Sequence, residues 1–468
     1  MSTLFFSIRG LDKGAKYNPR IPPRTGRPVY LAEAEELKAV LGKKQPGDIG
    51  GAHIGSLLSR GKDVVPVTID VQAITSTHLA IIASTGAGKS YLAGVLLEEL
   101  LKPYNRAAVL IVDPHGEYNT LSEMSNHETF HLGNYRARTR IFQPGEVKVR
   151  RGALTMGDLR YLLPNLTDRM DYLLQRAFRD VQREARTNKQ DDERWTLSDL
   201  KIRLRQLGEG EADDEQGDSR YKETAEAIIW RLESMLGQSV IFDDFEHLKL
   251  NELFKPGQCS VLQLNEVEEK QQQIMTATLL RRLFKARMAT QKKEVDTGDE
   301  LYLPYPVFVL LEEAHHFAPA SGDVVSTGIL KTILGEGRKF GIGVGLISQR
   351  PGKLDPDVLS QCNTQCLLRI VNPIDQARVA ESVETVGRDL LRELPSLTKG
   401  QAIIAGQAVN TPILCRIRTR HTKHGAESID APREWVKYTS EEAETRRTRD
   451  TALPPDVGHR GSIEDFLG

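Results

Sequence analysis

The sequence predicts an α/β protein: a mostly parallel central sheet built around a phosphate-binding loop, with a helical insertion and a short N-terminal β element of partial-barrel type. Three stretches carry this expectation. The apolar run His78–Ile82 leads into Ala83-Ser84-Thr85-Gly86-Ala87-Gly88-Lys89-Ser90, and the apolar-periodic run Tyr91–Leu101 follows, giving strand, glycine loop, helix. Ala107–Asp113 is a continuous apolar run, the pattern of a strand covered on both faces of a parallel sheet. Val307–Leu311 is a second such run and ends in two acids, Glu312 and Glu313. Ligands of open α/β sheets bind outside the carboxyl ends of the strands, so both acids are expected to face the glycine loop.

The elements follow in order. Residues 1–75 comprise an arm rich in Pro, Gly and basic residues, a helix over 31–41, and short strands within 53–72. Residues 76–154 hold the first part of the core. Over 155–250 the apolar period becomes helical, as in Ala225, Ile228, Ile229, Leu232, Met235 and Leu236, and the acidic stretch 208–218 reads as a loop. Residues 251–420 return to the α/β rhythm, with strands near 259–264, 307–311, 343–348, 365–370 and 401–405. Residues 421–468 are charged, contain Pro454-Pro455, and read as a tail without periodicity.

Composition narrows the function classes. A chain of 468 residues with 39% hydrophobic and 27% charged content is an ordinary globular protein. Its formal charge of -1 advertises no global affinity for nucleic acid, so any such contact needs a local basic patch. No apolar run approaches the ~20 residues of a membrane span, and Leu4-Phe5-Phe6 is too short for a signal-peptide core. The four cysteines, Cys259, Cys362, Cys366 and Cys415, form no C-x-x-C pair and read as buried thiols of a cytoplasmic protein.

The loop has a defined chemistry. Thr85, Gly86, Ala87, Gly88, Lys89, Ser90 and Tyr91 would wrap backbone N–H groups around a polyphosphate, aided by the partial charge of the helix N-terminus. Lys89 reaches the β/γ-phosphates and the Ser90 hydroxyl can ligate Mg²⁺. Ala83 stands where the usual pattern has glycine. Of the two acids, Glu312 suits Mg²⁺ through its water shell and Glu313 suits the polarisation of a water against a γ-phosphate. Glu312-x-x-His315 resembles half of a di-iron site, but no such pair on a second, separate helix accompanies it, and His315 and His316 read as structural. Gln349, after an apolar strand, places a neutral amide beside the nucleotide, as a γ-phosphate sensor would be. Arg338 could supply a guanidinium to a neighbour's nucleotide or could form a surface salt bridge.

In this order, the phosphate loop, Asp113-Pro-His-Gly-Glu117-Tyr118, Leu311-Glu-Glu-Ala-His-His-Phe317, Glu336-Gly-Arg-Lys-Phe-Gly341 and Ser348-Gln-Arg-Pro351 resemble the motif series of the HerA-type ATPases, relatives of the FtsK-like DNA translocases. The resemblance spans about 53–420. It implies a RecA-like ATPase core, a helical subdomain and a homo-hexameric ring that drives double-stranded DNA through its centre with ATP. It also implies that Lys89 and Ser90 bind nucleotide and Mg²⁺, that Glu312 is the Mg²⁺-side acid, Glu313 the catalytic base, Arg338 an arginine finger given in trans, and Gln349 the sensor. Asp113 and Glu117 match a motif near the active site without an assigned role. The family works with nucleases, of NurA type in DNA end resection or as effectors in antiviral defence. Its N-terminal barrel, which commonly docks the nuclease, is short here.

Arg136, Arg138, Arg140, Lys148, Arg150 and Arg151 concentrate positive charge near one strand or hairpin, which suits either phosphate contacts in a ring pore or a solvated edge strand. Arg281, Arg282, Lys285 and Arg287 form a second basic run, on a helix, whose basic side is a candidate surface toward a neighbouring subunit. Two other readings stay open: an ATP-binding hexameric scaffold that activates an effector nuclease without processive translocation, and a secretion or conjugation ATPase.

Overall fold

Eleven strands form the central sheet in the computed structural model, which describes residues 32–189, 191, 193–210, 220–382, 388–423, 425 and 431–439. In chain order they are β1 (Gly51–Leu57), β2 (Pro66–Asp70), β3 (Leu79–Ile82), β4 (Ala108–Asp113), β5 (Arg138–Phe142), β6 (Gln258–Gln263), β7 (Val307–Leu311), β8 (Ile342–Ser348), β9 (Thr364–Leu367), β10 (Gln401–Gly406) and β11 (Ile413–Ile417). They lie side by side as β2-β1-β11-β10-β9-β3-β8-β7-β4-β6-β5. From β9 to β5 every pairing is parallel. From β9 to β2 every pairing is antiparallel.

The strands expected as a partial barrel belong to this sheet. Among the described residues β1 and β2 close no barrel of their own, and β1 pairs instead with β11. Gly55 makes that pairing possible: a Cβ there would lie 2.0 Å from the Arg416 carbonyl oxygen.

Successive residues of a strand point to opposite faces, and here each face feeds its own core. Ala80, Ile82, Leu110, Val112, Val309 and Leu311 pack on one side. Leu79, Ile81, Val109, Ile111, Phe308 and Leu310 pack on the other. That is why these strands read as unbroken apolar runs. The second face is covered by α1 (Ala34–Leu41), α2 (Val71–Thr77) and α3 (Lys89–Leu100). The first face is covered by α4 (Met156–Leu162), α5 (Asp168–Lys189), α6 (Leu197–Gly210), α7 (Arg220–Leu232), α8 (Glu269–Gln291) and α9 (Val325–Glu336).

The inserted helices share that core with the sheet: Trp195, Leu200 and Ile228 belong to the same buried cluster as Val344 and Leu346. The basic run on α8 stitches this layer together internally. Arg281 donates to Asp158 at 2.6 Å, Arg282 to the Leu248 carbonyl at 3.0 Å, Lys285 to Glu193 at 3.0 Å and Arg287 to the Phe340 carbonyl at 2.7 Å. Arg282 and Arg287 are thus internal ties, which corrects for these two the reading as a surface toward a neighbouring subunit, while Lys285 stays exposed.

The chain divides into two units, Met1–Gly425 and Ala426–Gly468. In the second, where a tail without periodicity was expected, residues 431–439 are helical. Most of the acidic stretch 208–218, and the arm before residue 32, lie outside the described residues.

Helix α3 is buried almost all round, including both Glu98 and Glu99. Buried carboxylates need compensating charge. Arg418, just past β11, supplies it, with nitrogens 2.9 Å from Glu98 and 2.8 Å from Glu99. Lys102 lies 2.6 Å from Glu99, and the Thr422 amide donates to Glu98 at 2.9 Å. The helix that carries the phosphate loop is thereby pinned to β1, β11 and the chain beyond. Arg418→Ala leaves these carboxylates undercompensated. It is expected to lower stability by about 3–5 kcal/mol in urea denaturation, with Arg418→Lys losing less.

Candidate active site

The sheet changes direction at β3. The chain leaves β3 for β4 on one side and later reaches β9 on the other, which opens a crevice at the carboxyl end of β3. The loop 83–88 fills it and is tied to both neighbours. The Ala83 amide donates to the Ser348 carbonyl at 3.2 Å and the Ser84 amide to the Arg369 carbonyl at 2.8 Å. Gly86 and Gly88 take left-handed φ values of 76° and 104°, which turn the chain into α3. Ala83 is fully buried and is not among the residues with positive φ. Its position needs no glycine, and the departure from the usual pattern is accounted for.

Lys89, the first residue of α3, points back to the ends of β7 and β8. Its ammonium is paired with Glu312 and lies 3.0 Å from Glu313. Glu313 adopts a left-handed backbone, φ 50°, rare for a non-glycine residue. This kink brings two successive side chains to one site. Gln349 donates to Glu313 at 2.9 Å and accepts from the Thr85 hydroxyl at 2.8 Å. Tyr118 donates to Glu312 at 2.6 Å.

Burial pushes the Glu312 carboxyl up to about 7, against the pull of Lys89 and Tyr118. For Lys89, burial works against the charge, but Glu312 and Glu313 outweigh it and hold the ammonium well above its ordinary range. His315 lies 3.3 Å from Glu313 and 3.1 Å from the Ser348 hydroxyl. Burial, with His316 beside it, pushes His315 down to about 4, so it is neutral at pH 7.

The motif after β4 was legible without a role, and the structure gives it one. Buried Asp113 accepts the amides of Gly116 at 2.8 Å and Tyr118 at 3.2 Å. Burial raises its carboxyl while these donors lower it. The turn so formed presents Glu117 to the Ser90 hydroxyl and Tyr118 to Glu312. Tyr118 and His315 had no sequence signal for these contacts, since both arise from tertiary placement.

The donor set fits a nucleotide with Mg²⁺. Ser90, Glu117 and Glu312 offer only hard oxygens, as Mg²⁺ prefers. No group of three or more His, Cys, Asp or Glu side chains that could hold a metal ion by themselves occurs among the described residues, so an ion here would complete its shell with phosphate and water. Glu313 Oε2, with His315 Nδ1 3.3 Å away, accepts no hydrogen bond among the described residues, an arrangement suited to polarising a water.

A DNA double-strand break repair helicase HerA from Pyrococcus furiosus is 31% identical over 433 residues, covering 88% of this chain and 76% of its own length. The chain belongs to the HerA family. The family model "Helicase HerA, central domain" matches residues 52–283. A second HerA, from Sulfurisphaera tokodaii, is 30% identical over 92% of this chain and 80% of its own. Two solved structures share the fold. VirB4 of Thermoanaerobacter pseudethanolicus has a TM-score of 0.54 at 15% identity, covering 80% of this chain and 97% of that one. Plasmid coupling protein TrwB with the ATP analogue ADPNP has a TM-score of 0.51 at 14% identity, covering 88% and 98%. The HerA-family chain is thus a P-loop ATPase with a RecA-like core, in which β9-β3-β8-β7-β4 is the central strand order. No helix among the described residues is long and apolar enough to cross a membrane.

Not every expected site residue converges. Thr85, Gly86, Gly88, Lys89, Ser90, Glu312, Glu313 and Gln349 surround the crevice, and the Ala87 amide closes the loop on the Ser84 carbonyl at 3.1 Å. Tyr91 turns its hydroxyl away, where it accepts the Arg420 amide at 2.9 Å, so only its backbone is left to meet phosphate. Arg338 is exposed in the turn just before β8, at the amino end of the parallel strands, whereas the loop lies at their carboxyl end.

Of the six basic candidates for DNA, Arg150 and Arg151 are corrected: both are buried. Arg150 donates to the Phe245 carbonyl, and Arg151 donates to the Leu236 carbonyl at 2.8 Å and pairs with Asp244 at 3.1 Å. Lys148 donates to the Val240 carbonyl and Arg140 pairs with Glu252 at 3.2 Å. Arg136 and Arg138 are exposed, Arg138 on the last strand of the sheet.

Since Ala83 makes no positive-φ turn, Ala83→Gly should leave nucleotide affinity within about twofold, while a melt shows a loss of roughly 0.5–1 kcal/mol from added chain entropy.

Proposed function

We propose that this HerA-family ATPase hydrolyses ATP with Mg²⁺ at the subunit interfaces of a homo-hexameric ring. Turnover moves double-stranded DNA, in company with a nuclease of NurA type or a defence effector. The observation that carries this reading is a divided site. Lys89, Glu312, Glu313 and Gln349 meet around one loop at the carboxyl end of the parallel strands, whereas Arg338 is exposed at their amino end. A guanidinium at that end of the strands suits a neighbour's nucleotide rather than its own.

The roles follow from the contacts. Without nucleotide, Lys89 is paired with both acids. A triphosphate claims its ammonium and leaves Glu313 to take a proton from the attacking water. Ser90 and Glu312 hold the Mg²⁺ side, with Glu117 beside Ser90. Gln349, bonded to both Thr85 and Glu313, reports whether a γ-phosphate is present. Arg136 and Arg138 supply phosphate contacts that grip DNA without reading its sequence. The relatives named as DNA double-strand break repair helicases support the DNA substrate and a place in end resection. Four free, buried thiols suit a cytoplasmic location.

Glu313→Gln should retain ATP binding and lose turnover by about 10²-fold or more, and duplex DNA should stimulate the unmodified enzyme. DNA-insensitive hydrolysis, with Glu313→Gln rings that still activate the nuclease, would instead establish a nucleotide-ordered scaffold. Arg338→Ala and Lys89→Ala subunits, each inactive alone, should regain hydrolysis when mixed. Verified mixed rings that stay inactive would rule out a site shared between subunits.

A further inference from the structure

Arg338 stands on a short turn whose backbone is held on both sides. Helix α9 runs into the turn Gly337–Phe340, and Gly341 leads from it into β8. Ahead of the turn, His78 ties the end of α9 to β8. Its Nδ1 accepts the Val344 amide at 3.1 Å, so its Nε2 donates to the Leu334 carbonyl, 2.9 Å away. After the turn, the Val307 amide donates to the Gly341 carbonyl at 2.9 Å.

The centre of the turn is gripped from α8. Arg287 Nε donates to the Phe340 carbonyl at 2.7 Å, and its Nη1 donates to the Leu303 carbonyl. Phe284, one helical turn earlier, meets the Phe340 ring edge-on with centroids 5.3 Å apart. Gly341 takes a left-handed φ of 69°, and a Cβ there would lie 3.1 Å from Arg287 Nη2.

Arg287 is 1% exposed, and burial lowers the pKa of its guanidinium with no acid to offset the effect. A buried cation without a carboxylate is less stabilising than an apolar side chain of similar volume. Stability alone therefore does not account for it. What this guanidinium holds is the backbone two residues beyond Arg338. Arg338 itself is exposed and has no side-chain hydrogen bond or ion pair among the described residues. The turn presents an unengaged guanidinium on a fixed base.

We propose that Arg287 is a positioning residue for Arg338, fixing the backbone from which Arg338 reaches the nucleotide of a neighbouring subunit. This role rests on the reading of a site shared between subunits. A group that acts across an interface must be placed to within about 0.5 Å, and an error of about 1 Å can slow the reaction by ~10²-fold. Releasing the Phe340 carbonyl therefore damages the neighbour's site and spares the loop of the same subunit.

Arg287→Met keeps the stem and removes the donors. The full-length variant should bind ATP within about twofold of the unmodified protein and hydrolyse it about tenfold more slowly or worse, with Arg287→Lys, which keeps a donor, in between. In mixed rings Arg287→Met should regain hydrolysis with Lys89→Ala, whose turn is intact. It should not regain it with Arg338→Ala, because no interface then has a placed guanidinium. Unchanged turnover, or recovery with Arg338→Ala but not with Lys89→Ala, would put any damage in the variant's own site and overturn the role. If Arg287→Met forms no rings, Phe284→Ala, at a half-buried position, loosens the same turn and is read in the same way. Arg338→Ala mixed with Lys89→Ala separates the two claims. If that pair stays inactive in verified mixed rings, the shared site falls and the role of Arg287 falls with it. If that pair recovers and Arg287→Met with Lys89→Ala does not, the positioning role alone fails.

Discussion

The ammonium of Lys89, held between Glu312 and Glu313, is the interaction on which the rest of the site depends. Two carboxylates side by side in a dry crevice repel each other and pay heavily for lost water, so a cation must stand between them until a ligand replaces it. The surrounding structure serves that arrangement. The left-handed backbone at Glu313 aims both acids inward, Tyr118 steadies the outer oxygen of Glu312, and Gln349 steadies Glu313. The parallel sheet brings β3, β7 and β8 to a common edge, so one lysine can meet acids more than 200 residues away in sequence.

The same principle of compensated burial recurs in the rest of the molecule. Asp113 is satisfied by its own turn, Glu98 and Glu99 by Arg418, and Asp158 is paired through one oxygen with Arg281. Basic side chains that read in sequence as candidates for DNA or for a neighbouring subunit are in several cases internal ties. A guanidinium with a long aliphatic stem can cross a layer boundary and satisfy backbone carbonyls, as Arg151 and Arg287 do.

What was legible in the sequence was what is local. The strand, loop and helix around Lys89 announce themselves through period and glycine spacing. The runs at Ala107 and Val307 betray a sheet covered on both faces, and the paired acids fall at a strand end. What was hidden depends on partners distant in the chain. Nothing near Arg150 foretells His247 and Phe245, nothing near Gly55 foretells Arg416, and nothing near Tyr118 foretells Glu312. Ala83 looked irregular because the motif describes a residue type, whereas the loop requires a backbone angle, and only Gly86 and Gly88 need the unusual one.

The anchoring of α3 has a mechanical consequence. Its far end is clamped at Glu98 and Glu99 to the strand edge through Arg418, while its near end carries Lys89 and Ser90 into the crevice. The helix therefore joins the residues that meet the nucleotide to the antiparallel margin of the sheet through the buried ion pairs at its far end.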